Sequence, residues 1–126
     1  MARILIVDDS ALARTFIRRC VEIVASCELE FIEAESGSVA MNVMAKEEPF
    51  DLVITDLIMP EMDGLEVLRA MRANEKLADV PVLVITSTGC SHERDEIISL
   101  GVTILSKPIS PPAVASAIAQ LLPVEA

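Results

Sequence analysis

Along the whole chain, segments whose apolar residues run almost unbroken alternate with segments whose apolar residues recur every three or four positions. Unbroken runs rich in β-branched residues stand at 4–7, 52–54, 82–85 and 102–105, and a more polar alternating segment at 30–34. Each reads as a strand. Between them, Ala13, Phe16, Ile17, Cys20 and Ile23 or Val24 have helical spacing, as do Val39, Val43 and Met44, then Leu65, Leu68 and Met71. Ile97, Ile98 and the turn-forming Gly101 mark a fourth helix, and Val114, Ile118 and Leu121 a fifth. A strand that is apolar on both faces must be covered on both, which calls for a parallel sheet with helices on each side. Right-handed crossovers then restrict the topology to a doubly wound α/β fold. Five parallel strands and five helices commonly adopt the strand order 2-1-3-4-5.

The 126 residues suit one domain, expected to fill 1–126, and at that length no disulfide or structural metal is needed to fold. Ser10 and Ser110 are placed to cap the first and last helices, Pro111 fits a first helical turn, and Gly64 and Gly101 supply turns. No linker or low-complexity tract interrupts the run, and Met1 with the plain tail 123–126 reads as a stand-alone protein. Twenty acidic against ten basic side chains give a net charge of −10, which argues against nucleic acid as a partner. Cys20, Cys27 and Cys90 are odd in number and lack CxxC spacing, as expected of reduced thiols in a cytoplasm. Only four apolar residues precede Asp8 after Arg3, too few for a signal peptide, and nowhere do about 18 run together to cross a membrane. Phe16, Phe31 and Phe50 are the only aromatic residues, too few to form stacking platforms for bases or a flavin.

In a doubly wound sheet, ligands sit beyond the carboxyl ends of the strands where the winding reverses, here strands 1 and 3. Asp8 and Asp9 follow strand 1, Asp56 follows strand 3, Thr86 with Ser87 and Thr88 follows strand 4, and Lys107 with Pro108 follows strand 5. At about 5 Å and an effective dielectric near 20, each carboxylate pair would cost roughly 3 kcal/mol. The compensation could be a carboxyl that keeps its proton, the Lys107 ammonium, or a hard divalent cation. Mg²⁺ fits best, since it is held by one or two carboxylates together with waters and a phosphate oxygen. Thr86 and Lys107 add the hydroxyl and the positive charge wanted around a phosphoryl group. With no Ser-His or Cys-His pair around the site, the nucleophile would be an aspartate, forming an acyl phosphate.

The stretches 4–10, 51–56, 59–64, 81–86 and 107–108, taken in this order, resemble the response-regulator receiver domains of two-component signalling, of the stand-alone CheY-like kind. The resemblance covers essentially the whole chain and implies a flavodoxin/CheY-like fold. It implies that Asp56 accepts a phosphoryl group from a sensor histidine kinase or phosphotransfer protein, with Asp9 on the metal directly and Asp8 directly or through water. The backbone carbonyl of Ile58 would be a further metal ligand, Thr86 would bond one phosphoryl oxygen, and Lys107 would pair with another. Asp63 and Gly64 would shape the loop into the third helix. The output would be a downstream protein bound through the fourth helix, fifth strand and fifth helix. Such a chain is not a dedicated enzyme: it catalyses only its own phosphorylation and dephosphorylation.

Three positions depart from the family pattern. Ile104 and Ile109 stand where aromatic residues are usual, and Gly101 lies six residues before Lys107, one fewer than the commonest spacing. These leave the chemistry intact and bear on the readout. Ile58 and Thr88 replace the amide or acid that orients water where receivers turn over quickly, which implies a long-lived phosphorylated state.

Each of these residues also has a blander reading. Adjacent acids such as Asp8 and Asp9 are often solvated loop residues, and it is their company with Asp56 at the switch point that makes them a site. Ser87 competes with Thr86 if the strand ends one residue later, and Lys107 could be a surface charge. His92 reads as an exposed first-turn residue, Cys90 as idle, and Met41, Met44, Met62 and Met71 as core or gap-filling residues. Among competing functions, a pseudo-receiver binding partners without phosphorylation is the alternative. A haloacid-dehalogenase phosphohydrolase would need DxD after strand 1, and a flavodoxin-type site would need a phosphate loop where Asp8 and Asp9 repel phosphate.

Overall fold

The computed structural model describes residues 2–24, 28–46, 50–56, 64–86, 98–106 and 110–121. These form strands β1 (Ala2–Val7), β2 (Leu29–Ala34), β3 (Leu52–Asp56), β4 (Val82–Thr86) and β5 (Thr103–Ser106). The helices among them are α1 (Ala11–Val24), α2 (Gly37–Lys46), α3 (Gly64–Ala73) and α4 (Pro111–Leu121). All strand pairs are parallel, in the order β2-β1-β3-β4-β5, as the sequence pattern requires. Four of the five expected helices lie within the described residues, whereas the helix expected before β5 falls largely outside them.

Alternation explains why the sheet is covered on both sides. Leu5, Val7, Val53, Val82 and Val84 point into one core with Val67, Leu68 and Met71 of α3 and Ala40 and Met44 of α2. Their strand neighbours Ile4, Ile6, Leu52, Ile54, Leu83 and Ile85 point into the other, against Ile17, Cys20 and Val21 of α1 and Val114, Ala117 and Ile118 of α4. A one-residue slip of any central strand would exchange the two cores' side chains. β5 is an edge strand and only half-buried, so its Ile104 and Leu105 pack against opposite cores without being enclosed.

Several expectations shift by small amounts. β1 begins at Ala2, two residues earlier than its apolar run, because its backbone pairs with β2 from Leu29 onward. Asp56 and Thr86 are the last residues of their strands and do not lie beyond them. β5 runs one residue later than expected because Gly101, at φ 74°, makes a left-handed turn first. Gly64 opens α3 and is not part of a turn before it. On α1, Phe16 and Ile23 face solvent while Val21 is buried, because positions 17, 20 and 21 share the inward face at 3.6 residues per turn.

The starts of three helices are capped by serine. The hydroxyls of Ser10, Ser36 and Ser110 accept from the amides of Ala13, Val39 and Ala113 at 3.2, 3.2 and 3.3 Å. Pro111, first in α4, has no amide hydrogen to satisfy, which suits a position where helix amides lack partners. Among the described residues, no helix is long and apolar enough to cross a membrane.

Candidate functional site

The site grows out of the pairing of two central strands. β1 and β3 are neighbours in register, with Val7 opposite Thr55, so Asp8 leaves β1 beside Asp56 at the end of β3. Both are buried, Asp8 at 2% and Asp56 at 7% exposure, while Asp9 is exposed. Carboxylate oxygens of the three lie within 4.8 Å of one another. Ionised carboxylates at such a distance repel by about 3 kcal/mol per pair at an effective dielectric near 20, a repulsion that a bound cation would offset.

Local hydrogen bonds fix the backbone that carries these groups. The amide of Asp8 donates to the carbonyl of Ala34 at 3.1 Å, extending the β1–β2 ladder by one residue. The amide of Ser10 donates to Oδ1 of Asp8 at 2.9 Å, so the chain turns sharply into α1. The buried Thr55 hydroxyl donates to the carbonyl of Asp56 at 2.9 Å and holds the exit from β3. On the next strand, Ile85 lies opposite Asp56 and Thr86 follows, opposite Ser106 of β5, which puts the Thr86 backbone on the same edge of the sheet.

Of the residues expected from sequence, the structure brings Asp8, Asp9 and Asp56 together and sets the Thr86 backbone nearby. The side chain of Thr86 and the whole of Ile58 and Lys107 lie outside the described residues, as do Ser87, Thr88, Cys90, His92 and Ile109. Three carboxylate oxygens, hard donors converging without sulfur or imidazole among the described residues, fit Mg²⁺ by ligand type.

Sequence reasoning missed two members of this neighbourhood. Arg14 of α1 donates through Nη1 to the carbonyl oxygen of Asp8, and through Nε to Glu33 Oε1 of β2 at 2.8 Å. The partners are 19 residues apart, and no spacing rule links them; the only hint is that β2 is the polar edge strand. Arg18 adds a second, looser contact to Glu33 at 3.7 Å and lies over the Phe31 ring at 4.9 Å.

The model of the response regulator receiver domain matches residues 4–119. A chemotaxis protein CheY homolog of Campylobacter jejuni is 34% identical over 110 residues, covering 86% of this chain and 83% of its own. The solved chemotaxis response regulator CheY4 of Vibrio cholerae superposes with a TM-score of 0.81 at 29% identity, over 97% of this chain and 99% of that one. The REC domain of AraT, a response regulator from Geobacillus stearothermophilus, gives a TM-score of 0.80 at 32% identity, over 95% and 92%. Sheet order, the acidic cluster at the switch point and these likenesses agree: the chain belongs to the CheY-like receiver-domain family of two-component response regulators.

Proposed function

We propose that the chain takes a phosphoryl group onto Asp56 from a phosphohistidine of a sensor histidine kinase or phosphotransfer protein, and that phosphorylation switches its binding to a downstream protein. The observation that carries this reading is the convergence of Asp56, at the end of a central strand, with Asp8 and Asp9 within 4.8 Å. A carboxylate oxygen of Asp56 attacks phosphorus; the new O–P bond forms as the P–N bond breaks, and the electron pair leaves on the imidazole nitrogen, which takes up a proton. Asp9, Asp56 and the Ile58 carbonyl, with Asp8 directly or through water, would hold Mg²⁺, which would supply positive charge against the repelling oxygens of donor and acceptor. Thr86 offers a hydroxyl and Lys107 an ammonium to the remaining phosphoryl oxygens. The chain turns over no other substrate, its chemistry being limited to its own phosphorylation and hydrolysis.

The signal would leave through the segment before β5, β5 itself and α4, in a cytoplasmic setting that keeps Cys20 reduced. Ile104, half-buried against the same core as Leu100 and Val102, replaces the usual aromatic reporter, so the readout relies on backbone and packing shifts there. The test is intact-mass analysis after incubation with acetyl phosphate and Mg²⁺. Wild type should gain one phosphoryl group and Asp56→Asn none; equal labelling of both removes Asp56 as the acceptor, and no labelling of wild type favours a phosphorylation-independent binding module.

A further inference from the structure

Arg14 stands one turn into α1 and is only 15% exposed, yet its guanidinium points back toward the end of β1. One nitrogen bonds Glu33 of β2, and another donates to the carbonyl oxygen of Asp8. That carbonyl belongs to the peptide between Asp8 and Asp9. Holding its oxygen fixes the plane of the peptide, and with it the directions in which the two carboxylates leave the chain. The amide of Asp8 on Ala34 and the amide of Ser10 on Asp8 Oδ1 pin the same short segment from its other sides.

Coulomb's law alone gives such an arginine no place here. A positive charge next to a cation site lowers the affinity for the cation, so whatever Arg14 contributes to binding must come through geometry and outweigh its charge. Glu33 supports both: it neutralises the guanidinium and orients its planar fork, a geometry that lysine cannot reproduce. We propose that Arg14, oriented by Glu33, is a positioning residue that aims Asp8 and Asp9 at Asp56 and thereby sets the affinity for Mg²⁺. The proposal rests on the Mg²⁺ binding of the preceding subsection.

The test is a Mg²⁺ titration of the ¹⁵N-labelled full chain by two-dimensional NMR, since a protein without Trp or Tyr offers only weak phenylalanine emission to follow. Groups that orient metal ligands typically change affinity by about tenfold to a hundredfold when removed. Arg14→Met should therefore weaken Mg²⁺ binding about tenfold and shift the metal-free amide signals of Asp9 and Ser10. Arg14→Lys, which keeps the charge and loses the fork, should also weaken it, by roughly threefold or more. Arg18→Met removes a neighbouring charge that contacts Glu33 and not Asp8, and should stay within about twofold of wild type. An Arg14→Met protein that binds Mg²⁺ as tightly as wild type, or more tightly, overturns the proposal. Should that variant fail to fold, wild-type affinity in Arg14→Lys overturns it instead. Failure of the wild type itself to bind Mg²⁺ overturns the metal reading and this one together, whereas wild-type binding with unaffected Arg14 variants overturns this one alone.

Discussion

At the amino-terminal end of the sheet, cations meet acceptors. Arg3 ties β1 to its neighbours: its Nε lies 3.3 Å from Glu30 of β2, its amide donates to Asp51 Oδ2 at 2.8 Å, and its guanidinium lies over the Phe50 ring at 4.8 Å. Arg72, in the last turn of α3, collects the carbonyls of Leu77, Ala78 and Val80 before β4 and of Leu100 before β5, at 2.8 to 3.3 Å. Burial holds its guanidinium below the ordinary arginine value, against the smaller opposing pull of Asp79. At the carboxyl-terminal end, by contrast, three carboxylates crowd within 4.8 Å of one another. One end is organised so that its charges stabilise the fold, and the other, even with Arg14 bonded to Glu33 and the Asp8 carbonyl, gathers three carboxylates that a cation and a phosphoryl group can exploit, a common way for functional sites to depart from the rules that hold elsewhere.

Arg72 gives the largest effect with which to break this contrast. Arg72→Ala leaves carbonyls of two connections without a charged donor, for a loss of about 3 kcal/mol and a fall in melting temperature on the order of 10 °C. Its Mg²⁺ affinity should match wild type, because the lost contacts lie at the far end of the strands. Melting within a degree or two of wild type would mean that water replaces the guanidinium without penalty and that the amino-terminal end is no better organised than the other.

The acidic end should respond in the opposite direction. Without metal, Asp56→Asn removes one charge from a buried like-charge cluster and should raise stability by about 1 to 2 kcal/mol after solvent screening; Asp9→Asn, at an exposed position, should do so by less. Added Mg²⁺ should then raise the melting temperature of wild type far more than that of either variant. Thermal melts with and without Mg²⁺ decide this, and lower metal-free melting in both variants would show that the cluster is not under repulsion.

The same contrast separates what the sequence made legible from what it hid. Strand order, and the arrival of Asp8 and Asp56 at one edge, followed from apolar runs and handedness, because each depends on patterns within a few residues. Arg72 looked like any exposed cation in a helix's last turn; its acceptors lie up to 28 residues away, and backbone carbonyls carry no signature in a sequence. The pairing of Arg14 with Glu33 was hidden for the same reason. On α1 the inward stripe runs through Ile17, Cys20 and Val21, so Phe16 lies at its margin and, of the pair Ile23 or Val24, Ile23 faces solvent, as does Leu12. Periodicity finds the stripe and leaves its margins, one residue to either side, to the packing.

The smallest expected effect concerns the helix starts. The N-terminus of α1 follows Asp9 directly through Ser10, so its partial positive charge lies where the carboxylates gather, a modest favourable term of about 0.3 to 1 kcal/mol. Ser10→Ala and Ser36→Ala each remove one cap bond of 3.2 Å and should each cost about 1 kcal/mol. Only Ser10 touches the acidic cluster, and it does so through its backbone amide, which alanine keeps. Mg²⁺ affinity should therefore be unchanged, within about twofold, in both variants, even though both melt lower. A selective loss of affinity in Ser10→Ala would mean that the hydroxyl, and not the turn it begins, holds Asp8 in place, and the orienting role assigned to backbone and Arg14 would have to be shared with that side chain.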